Sequence, residues 1–298
     1  RKNKRVRRKM EKVNFKHYLL DPDGTEKFVF NDGIGVLEIT RINTKEDRDI
    51  YCVPSMYECR LGCTICYLTI NNIVGSNKKI KSSTVLQCLD FIDIVKPSYK
   101  KGKQISIMGV GEPLLNIEMI EELCQNERID RVSIASIFPF IPKELPKKLK
   151  IHYSLHNPIQ EKRLKMIPNG KENFDNVLNY LKNHKGDVEI HYTLVENEND
   201  TDEELNEIIN KLKNNNKYTI KFLDFKTSYK TKLAKSNKLI KWIKELEKNG
   251  ISTEFYYPPG EQIQGSCGLF TEGFYSDNHG DDFKVYLSKY EVKLWGEN

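Results

Sequence analysis

The stretch Cys59-Arg-Leu-Gly-Cys63-Thr-Ile-Cys66 is the feature around which the rest of the sequence is arranged. Its C-x3-C-x2-C spacing lets one tight loop direct three thiolates at a single point. Three thiolates are one fewer than the four ligands of an ordinary structural zinc site or electron-transfer iron–sulfur cluster. The pattern predicts either a [4Fe–4S] cluster with one iron open to a small molecule, or a zinc site that a distant Cys or His completes.

A regular alternation of strand and helix patterns follows the cysteine-rich loop, which we place at 52–66. Strands are predicted at 104–109, 131–136, 151–155, 188–195, 218–225 and 252–257, and helices at 83–95, 117–124, 142–149, 171–183, 201–213 and 237–249. Such alternation is typical of right-handed β-α units on a parallel sheet. The number of units favours an incomplete (βα)6 barrel over a full eight-fold barrel. Because the loop precedes the first unit, where the catalytic mouth of a barrel lies, the cluster is favoured over zinc.

The two ends of the chain carry different signals. Residues 28–42 alternate between apolar and polar around Asn31-Asp32-Gly33, which is a β-hairpin turn signal. Beyond Pro258-Pro259-Gly260 the strand and helix alternation stops. We therefore expect three segments: a basic N-terminus with a β-extension over 1–50, a partial barrel over 51–258, and a C-terminal appendage over 259–298.

Composition limits the classes of partner and compartment. The 298 residues carry 48 Lys and Arg against 42 Asp and Glu, and the net charge of +6 permits a polyanionic partner without requiring one. The basic run from Arg1 to Lys12 favours a solvated chain end, with an RNA-backbone contact as the alternative. Without an apolar stretch of membrane-spanning length or a signal peptide, we expect a cytoplasmic protein with no membrane partner. There, the seven cysteines favour metal or redox chemistry over structural disulfides.

The open iron of a three-cysteine cluster can bind S-adenosylmethionine (SAM) through its amino and carboxylate groups. Reductive cleavage of SAM then yields a 5′-deoxyadenosyl radical. Gly109 and Gly111 would let the backbone approach a ligand at a strand end, and the Glu112 carboxylate can accept hydrogen bonds from the SAM ammonium. Ser154 and His156 end another strand at the same mouth and suit ribose or carboxylate contacts. The alternatives are an ordinary strand-to-helix turn at Glu112 and a packed or solvated histidine at 156.

Five motifs in chain order resemble the RlmN/Cfr family of radical-SAM RNA methylases, over about 23–269. They are DGTEKFVF from Asp23, EDRDIYCVPS from Glu46, MGVGEPLLN from Met108, SLHNP from Ser154 with Arg163 and MIPN after it, and GSCGLF from Gly265. The resemblance implies an α/β fold with an incomplete (βα)6 radical-SAM barrel and a [4Fe–4S] cluster on Cys59, Cys63 and Cys66. It also implies SAM contacts from Gly111, Glu112, Ser136, Ser154, Leu155 and His156.

The same resemblance implies catalytic roles for two cysteines outside the cluster loop and for one glutamate. Cys267 is expected to accept a methyl group from one SAM, after which a radical from a second SAM abstracts hydrogen from that group and the carbon radical adds to an adenine ring carbon. Cys52 is expected to attack the thioether sulfur, forming a disulfide and freeing the methylated base. Glu38 occupies the position of the family's proton-accepting glutamate, with a one-residue gap before Cys52. A solvent-facing strand carboxylate is the alternative for Glu38, and a buried structural thiol is the alternative for each cysteine.

Partners and substrate are also expected from the resemblance. We expect a ribosomal or transfer RNA with an unstacked adenosine as the substrate, with C2 favoured over C8 as the methylated carbon, and an electron donor such as flavodoxin or ferredoxin. A monomer is expected. Little of the family's helical accessory domain precedes the β-extension, and its WNP asparagine is replaced near Lys226. A peptide or small-nucleotide substrate for the same core is therefore a second hypothesis, and a non-catalytic iron–sulfur or zinc protein that binds RNA is a third.

Overall fold

The computed structural model describes residues 13–72, 75, 78–213, 215, 217–226, 231–265 and 289–294. The chain folds as two compact units. Unit 1 comprises 1–60, 75–132 and 259–298, and unit 2 comprises 61–74 and 133–258. The chain passes into unit 2 at Leu61, returns to unit 1 at Gly75, passes into unit 2 again at Ser133 and returns at Pro259. The three consecutive segments expected from the sequence stay a prediction.

Unit 1 is built on strands that lie side by side in chain order. They are β1 (Asn14–Leu20), β2 (Glu26–Asn31), β3 (Val36–Ile42), β4 (Arg48–Val53) and β5 (Gly102–Ile107). Neighbours from β1 to β4 are antiparallel, and β5 runs parallel to β4. The predicted hairpin turn is confirmed between β2 and β3, where Gly33 has a φ of +82°. Strands β1 and β4 were not predicted from the sequence.

Unit 2 consists of parallel neighbours in chain order, as β-α units produce. They are β6 (Arg131–Ser136, in unit 2 from Ser133), β7 (Lys150–Ser154), β8 (Val188–Tyr192), β9 (Thr219–Leu223) and β10 (Ser252–Tyr256). Tyr153 packs against Phe174, with ring centroids 6.1 Å apart, and Tyr192 packs against Trp242 at 5.4 Å. Phe174 and Trp242 lie in helices, so these tyrosines face the helices. Residues that alternate with them lie on the opposite face of the strands.

Helices follow five of the ten strands described, namely β4, β5, β7, β8 and β9. The helices are α1 (Tyr67–Ile70), α2 (Ser82–Val95), α3 (Ile117–Cys124), α4 (Gln160–Met166), α5 (Phe174–Lys182), α6 (Asp202–Leu212) and α7 (Leu239–Lys248), with a 3₁₀ helix at Pro113–Asn116. Buried apolar residues of these helices, such as Val85, Leu181 and Leu246, belong to the cores of the two units. Among the residues described, no helix combines the length and apolar composition needed to cross a membrane.

The helix predicted at 142–149 is wrong. The chain between β6 and β7 is irregular there. Pro146 explains the difference, because a proline inside a helix lacks the N–H group for the intrahelical bond and its ring clashes with the preceding turn. Pro142 adds a second restriction, since it disfavours helical geometry at the residue before it. The connection from β6 to β7 is therefore a loop.

Residues 289–294 of the C-terminal appendage lie against β1. The Leu20 N–H donates to the Tyr290 carbonyl at 3.0 Å, and the Val292 N–H donates to the Tyr18 carbonyl at 2.9 Å. These bonds satisfy backbone groups along the outer side of β1, which would otherwise be an open sheet edge.

Candidate active site

The approach to the cysteine loop is fixed in unit 1 around Ser55. The Ser55 N–H donates to the Val110 carbonyl at 2.9 Å, and the Asn116 side-chain amide donates to the Ser55 carbonyl at 2.9 Å. Gly111 has a φ of +106°, and a Cβ added there would lie 2.5 Å from the Ser55 hydroxyl oxygen. Only glycine suits that position. The MGVGEPLLN motif thus holds the backbone four residues ahead of Cys59.

Glu112 is buried, with 2% of its surface exposed. It is the N-cap of the 3₁₀ helix Pro113–Asn116, and its Oε1 accepts the Leu114 N–H at 3.0 Å. This bond satisfies a backbone donor that the helix cannot satisfy itself. The ordinary-turn interpretation therefore accounts for one carboxylate oxygen, and the SAM contacts of Gly111 and Glu112 stay predictions.

The three cysteines of the predicted cluster are each partly exposed. Cys59 belongs to unit 1, and Cys63 and Cys66 belong to unit 2. The Cys66 N–H donates to the Cys63 carbonyl at 3.0 Å, which forms a tight turn ahead of α1. Burial raises the pKa of the Cys66 thiol, while N–H groups of Leu68 and Thr69 bonded to its sulfur oppose the rise. Such N–H donors favour a thiolate, the form that binds metal.

Cys52 lies in β4 rather than in the predicted loop, which begins after that strand. Cys52 is paired with Thr40 of β3 and Ser106 of β5, and Thr40 is paired with Lys27 of β2. Directly paired residues point to the same face of a sheet. Lys27, Thr40, Cys52 and Ser106 therefore form a row across four strands of unit 1. Glu38, two residues before Thr40, lies on the same face.

Lys27 and Glu38 form a buried ion pair on this face, with side chains 1% and 5% exposed. The solvent-facing alternative for Glu38 is therefore wrong. Burial lowers the pKa of Lys27, and attraction to Glu38 and Cys52 opposes that effect. The proton-accepting role of Glu38 stays a prediction, and so does the resolving role of Cys52.

Alternate residues of the turn at 260–264 in unit 1 are held by Asp21, Asp23 and Lys27, which we call the aspartate–lysine clamp. The clamp bonds run from the Gly260 N–H to Asp23 at 2.7 Å, from the Gln262 N–H to Asp21 at 2.9 Å, and from Lys27 Nζ to the Gln264 carbonyl at 2.5 Å. Cys267 lies outside the described residues, three positions beyond Gln264. The last described residues before it are thus held against the face that carries Glu38 and Cys52.

The SLHNP motif of unit 2 follows β7, which ends at Ser154. His156 has a φ of +53°, and its Nδ1 accepts the Thr193 N–H at 3.3 Å. Burial lowers the pKa of His156 to about 3, and the neighbouring His191 and Arg163 contribute less to the shift. The ring is therefore neutral at pH 7, with Nδ1 as acceptor and Nε2 carrying the proton.

Arg163 is fully buried and fixes the end of β7 in unit 2. Its guanidinium donates to the carbonyls of Leu155 at 3.1 Å, Ile137 at 2.6 Å and Gly170 at 2.6 Å. Its Cζ lies 5.6 Å from the centroid of the Tyr153 ring. A buried charge is tolerated when its donors are satisfied in this way. Leu155 is itself fully buried, and its SAM contact stays a prediction.

Two further positions have packing partners of their own. Ser136 is fully buried, and its hydroxyl oxygen accepts the Phe138 N–H at 2.9 Å. Lys226 forms an ion pair with Asp224 at 3.0 Å, and its Nζ lies 3.4 Å from the centroid of the Tyr257 ring. The SAM contact of Ser136 stays a prediction.

Comparison with known proteins decides the family. No protein-family model matches the chain. A dual-specificity RNA methyltransferase RlmN of Wigglesworthia glossinidia brevipalpis is 30% identical over 290 residues, covering 87% of this chain and 74% of the relative. The chain belongs to the RlmN family. A probable dual-specificity RNA methyltransferase RlmN of Lachnospira eligens is 28% identical over 293 residues, covering 90% of this chain and 80% of the relative.

A solved structure agrees with the predicted fold. A radical SAM methyltransferase from Sphaerobacter thermophilus matches with a TM-score of 0.74 over 90% of this chain and 85% of that chain, at 19% identity. The likeness confirms an α/β fold of the radical-SAM partial-barrel type. Together with the RlmN relatives it confirms the predicted enzyme class, a radical-SAM methyltransferase, and the family resemblance seen in the motifs.

Sequence reasoning missed Lys27 and the two clamp aspartates. Lys27 directly precedes the apolar run Phe28–Phe30 of the strand Glu26–Asn31, which was a weak signal of its burial. Lysine is almost never fully buried unless it is paired. Its partner at Gln264 lies 237 residues away, so no local pattern could identify that contact.

Proposed function

We propose that this chain methylates an adenine ring carbon in ribosomal or transfer RNA, at C2 rather than C8, through a methyl group carried on Cys267. The RlmN relatives are named RNA methyltransferases, which supports RNA as the substrate. Adenine ring carbons are electrophilic and resist ordinary methyl transfer, which supports a radical route. The base has to leave its stack to reach the enzyme, so an adenosine in a loop or single strand is the expected target.

The observation that carries the proposal is the set of contacts that the Lys27 side chain makes in unit 1. Its ammonium contacts the Glu38 carboxylate and the Gln264 carbonyl, and Lys27 lies in the same cross-strand row as Cys52. Gln264 is three residues from Cys267, and three residues of extended chain span about 10 Å. The mechanism requires the two thiols to meet, and this anchoring supports such a meeting.

The residues for the cofactors fit the donor types that those cofactors require. Cys59, Cys63 and Cys66 offer three thiolates, the ligands of [4Fe–4S] clusters, and the N–H bonds to the Cys66 sulfur suit a cluster ligand. With SAM bound, the cluster would supply a 5′-deoxyadenosyl radical. Replacing any one of these cysteines by Ala should abolish the brown colour, the iron content and SAM cleavage. Full iron content in one such variant would remove that cysteine from the ligand set.

Three residues of the chain have one task each in the proposed mechanism. The Cys267 thiolate takes a methyl group from SAM. Once a hydrogen atom has been removed from that methyl group and the carbon has bonded to adenine, the adduct holds one unpaired electron. Glu38 accepts the proton that the ring carbon loses, and the electron would pass to the iron–sulfur cluster. The Cys52 thiolate then attacks the Cys267 sulfur, so that an S–S bond forms and the S–C bond breaks. The electron pair stays with the methyl carbon, which takes up a proton, and a cellular thiol later reduces the disulfide.

The test is mass spectrometry of nucleosides from cells that lack the gene and express one variant each. Wild type should restore 2-methyladenosine in ribosomal or transfer RNA, and Cys267→Ala should not. Cys124→Ala is the matched control, because Cys124 is a partly exposed thiol at the end of α3 that has no task in the proposed mechanism. Restoration of 8-methyladenosine instead would correct the target carbon. Methylation by Cys267→Ala would refute the proposed route.

A further inference from the structure

Unit 2 contains a second group of metal-ligating side chains, separate from the cysteines. His152 of β7 is paired with Glu189 of β8, and His191 follows Glu189 by two residues. The three side chains therefore share the strand face that is turned away from the helices. None of them has a task in the proposed methylation mechanism.

The donor atoms of this group lie at the separations of ligands around one ion. His152 Nδ1 is 2.7 Å from His191 Nε2 and 3.0 Å from Glu189 Oε2, and His191 Nε2 is 3.7 Å from the same oxygen. Ligands of a four-coordinate zinc ion at about 2.0–2.1 Å lie about 3.3 Å apart. The observed distances bracket that value. Among the residues described, the ligand atoms of His152, Glu189 and His191 all lie within 4.8 Å of one another.

We propose that His152, Glu189 and His191 bind a divalent transition-metal ion, with a water molecule in the fourth position. Two imidazole nitrogens at 2.7 Å cannot both carry a proton, so at least one presents a lone pair. Two imidazoles and one carboxylate form a donor set that zinc and iron(II) accept. The residues His152 and His191 are each 5% exposed, so the ion would be shielded from bulk water.

The surroundings orient the carboxylate for one-oxygen binding. Glu189 Oε1 is bonded to Lys150, which leaves Oε2 facing the imidazoles. Partners that hold a ligating carboxylate in this way are typical of metal sites. Lys221 lies 3.3 Å from Oε2 and would repel an ion there, but it also pairs with Glu254 at 2.8 Å. It can therefore keep that second partner when a metal ion binds.

The competing arrangement is a hydrogen-bond network without metal, and Lys221 distinguishes the two. In a metal site, Lys221→Met removes a repelling charge and should tighten zinc binding by about tenfold or more. In a network without metal, the substitution creates no zinc affinity. Truncation of a ligand, as in His191→Gln, should weaken zinc binding by at least about 100-fold, since changes in outer-shell partners alone cost about 10–100-fold.

The experiment uses the full chain, purified anaerobically with its iron–sulfur content measured first. Zinc is then added, the protein is desalted, and bound zinc is counted by elemental analysis alongside iron and sulfide. Wild type and His184→Gln should retain about one zinc per chain, and His191→Gln and Glu189→Gln should retain almost none. His184 is the matched control, because its Nε2 bonds to the Leu149 carbonyl at 2.7 Å, outside the group.

X-ray absorption at the zinc edge identifies where the ion sits. The expected spectrum has nitrogen and oxygen neighbours at about 2.0–2.1 Å with imidazole scattering, whereas zinc in the cysteine loop would show sulfur at about 2.3 Å. Sulfur ligation, no zinc in wild type, or equal zinc in wild type and His191→Gln would each overturn the proposal. Circular dichroism checks that each variant is folded. If His191→Gln does not fold, Glu189→Gln, which keeps the side-chain volume, is used in its place. Iron and sulfide contents test the cluster separately.

Discussion

Lys27 and Glu38 form a buried ion pair in unit 1, and the same ammonium also donates to the Gln264 carbonyl at 2.5 Å. Taking two charges out of water costs several kcal/mol for each ion, and such pairs are often no more stabilising than apolar residues of similar volume. Stability alone therefore does not account for this pair. We expect the pair to serve instead to hold Gln264, which lies three residues before Cys267.

Lys27→Met should separate the two effects. The substitution leaves the Glu38 carboxylate buried without its ammonium, and we expect a loss of about 3–5 kcal/mol in the free energy of unfolding. Adding Glu38→Leu should recover most of that stability, because no unpaired charge remains. RNA methylation should stay at least about tenfold below wild type in both variants, while SAM cleavage persists. Wild-type methylation in the stable double variant would show that the pair has no part in the reaction.

Arg163→Lys tests the anchor at the end of β7. A lysine offers one ammonium in place of a planar fork and cannot reach the carbonyls of Leu155, Ile137 and Gly170 together. We expect thermal unfolding to report a loss of about 3 kcal/mol or more, because buried carbonyls lose their donors. Gly170→Ala should act in the same direction, since its Cβ would collide with the guanidinium. The control Arg128→Lys alters a surface pair with Asp90 and should cost less than about 1 kcal/mol.

His156 predicts how stability changes with pH. The pKa of His156 is about 3 in the folded chain and 6.5 without the influence of the fold. Between these pH values the unfolded chain therefore binds a proton that the folded chain does not. The stability contributed by neutral His156 is fully present above about pH 6.5 and is lost as the pH falls towards 3, by about 1.4 kcal/mol per pH unit. His156→Asn removes the titration, and asparagine tolerates the positive φ. The drop in melting temperature between about pH 7 and pH 5.5 should be smaller in that variant; an equal drop would assign the effect to other groups.

The sequence was sufficient for features that depend on local pattern. The parallel strands, the hairpin around Gly33 and the family motifs were predicted because alternation and turn signals are local. Strand β4 (Arg48–Val53) was missed, because it runs directly into the cysteine loop and its last two residues, Cys52 and Val53, were assigned to that loop. The helix at 142–149 was predicted on helical spacing, but Pro146 prevents it.

The thiols of the candidate site could be identified from the sequence, whereas the side chains that hold the backbone around them mostly could not. Cys52, Glu38 and the three cluster cysteines carry chemistry that residue type and motif reveal. Lys27 and Arg163 act through backbone carbonyls that lie in other segments, and such contacts depend on the tertiary fold. The burial of Glu38 likewise follows from its neighbours in the sheet, so its sequence position left the exposed alternative open.

Cys52→Ala tests the mechanism most directly, because it should stop the reaction after the carbon–carbon bond has formed. Without the Cys52 thiol nothing attacks the Cys267 sulfur, so the adenine should remain joined to the chain. We expect purified Cys52→Ala to carry RNA covalently, with the nucleotide on the peptide spanning 265–270 by tandem mass spectrometry, and RNA methylation should fall to background. Cys52→Ala with Cys267→Ala should carry no RNA, and Cys88→Ala, which alters a buried thiol of α2, should behave as wild type. Wild-type methylation by Cys52→Ala, with no crosslinked RNA, would leave Cys52 as a structural thiol of β4 and would rule out resolution through a Cys52–Cys267 disulfide.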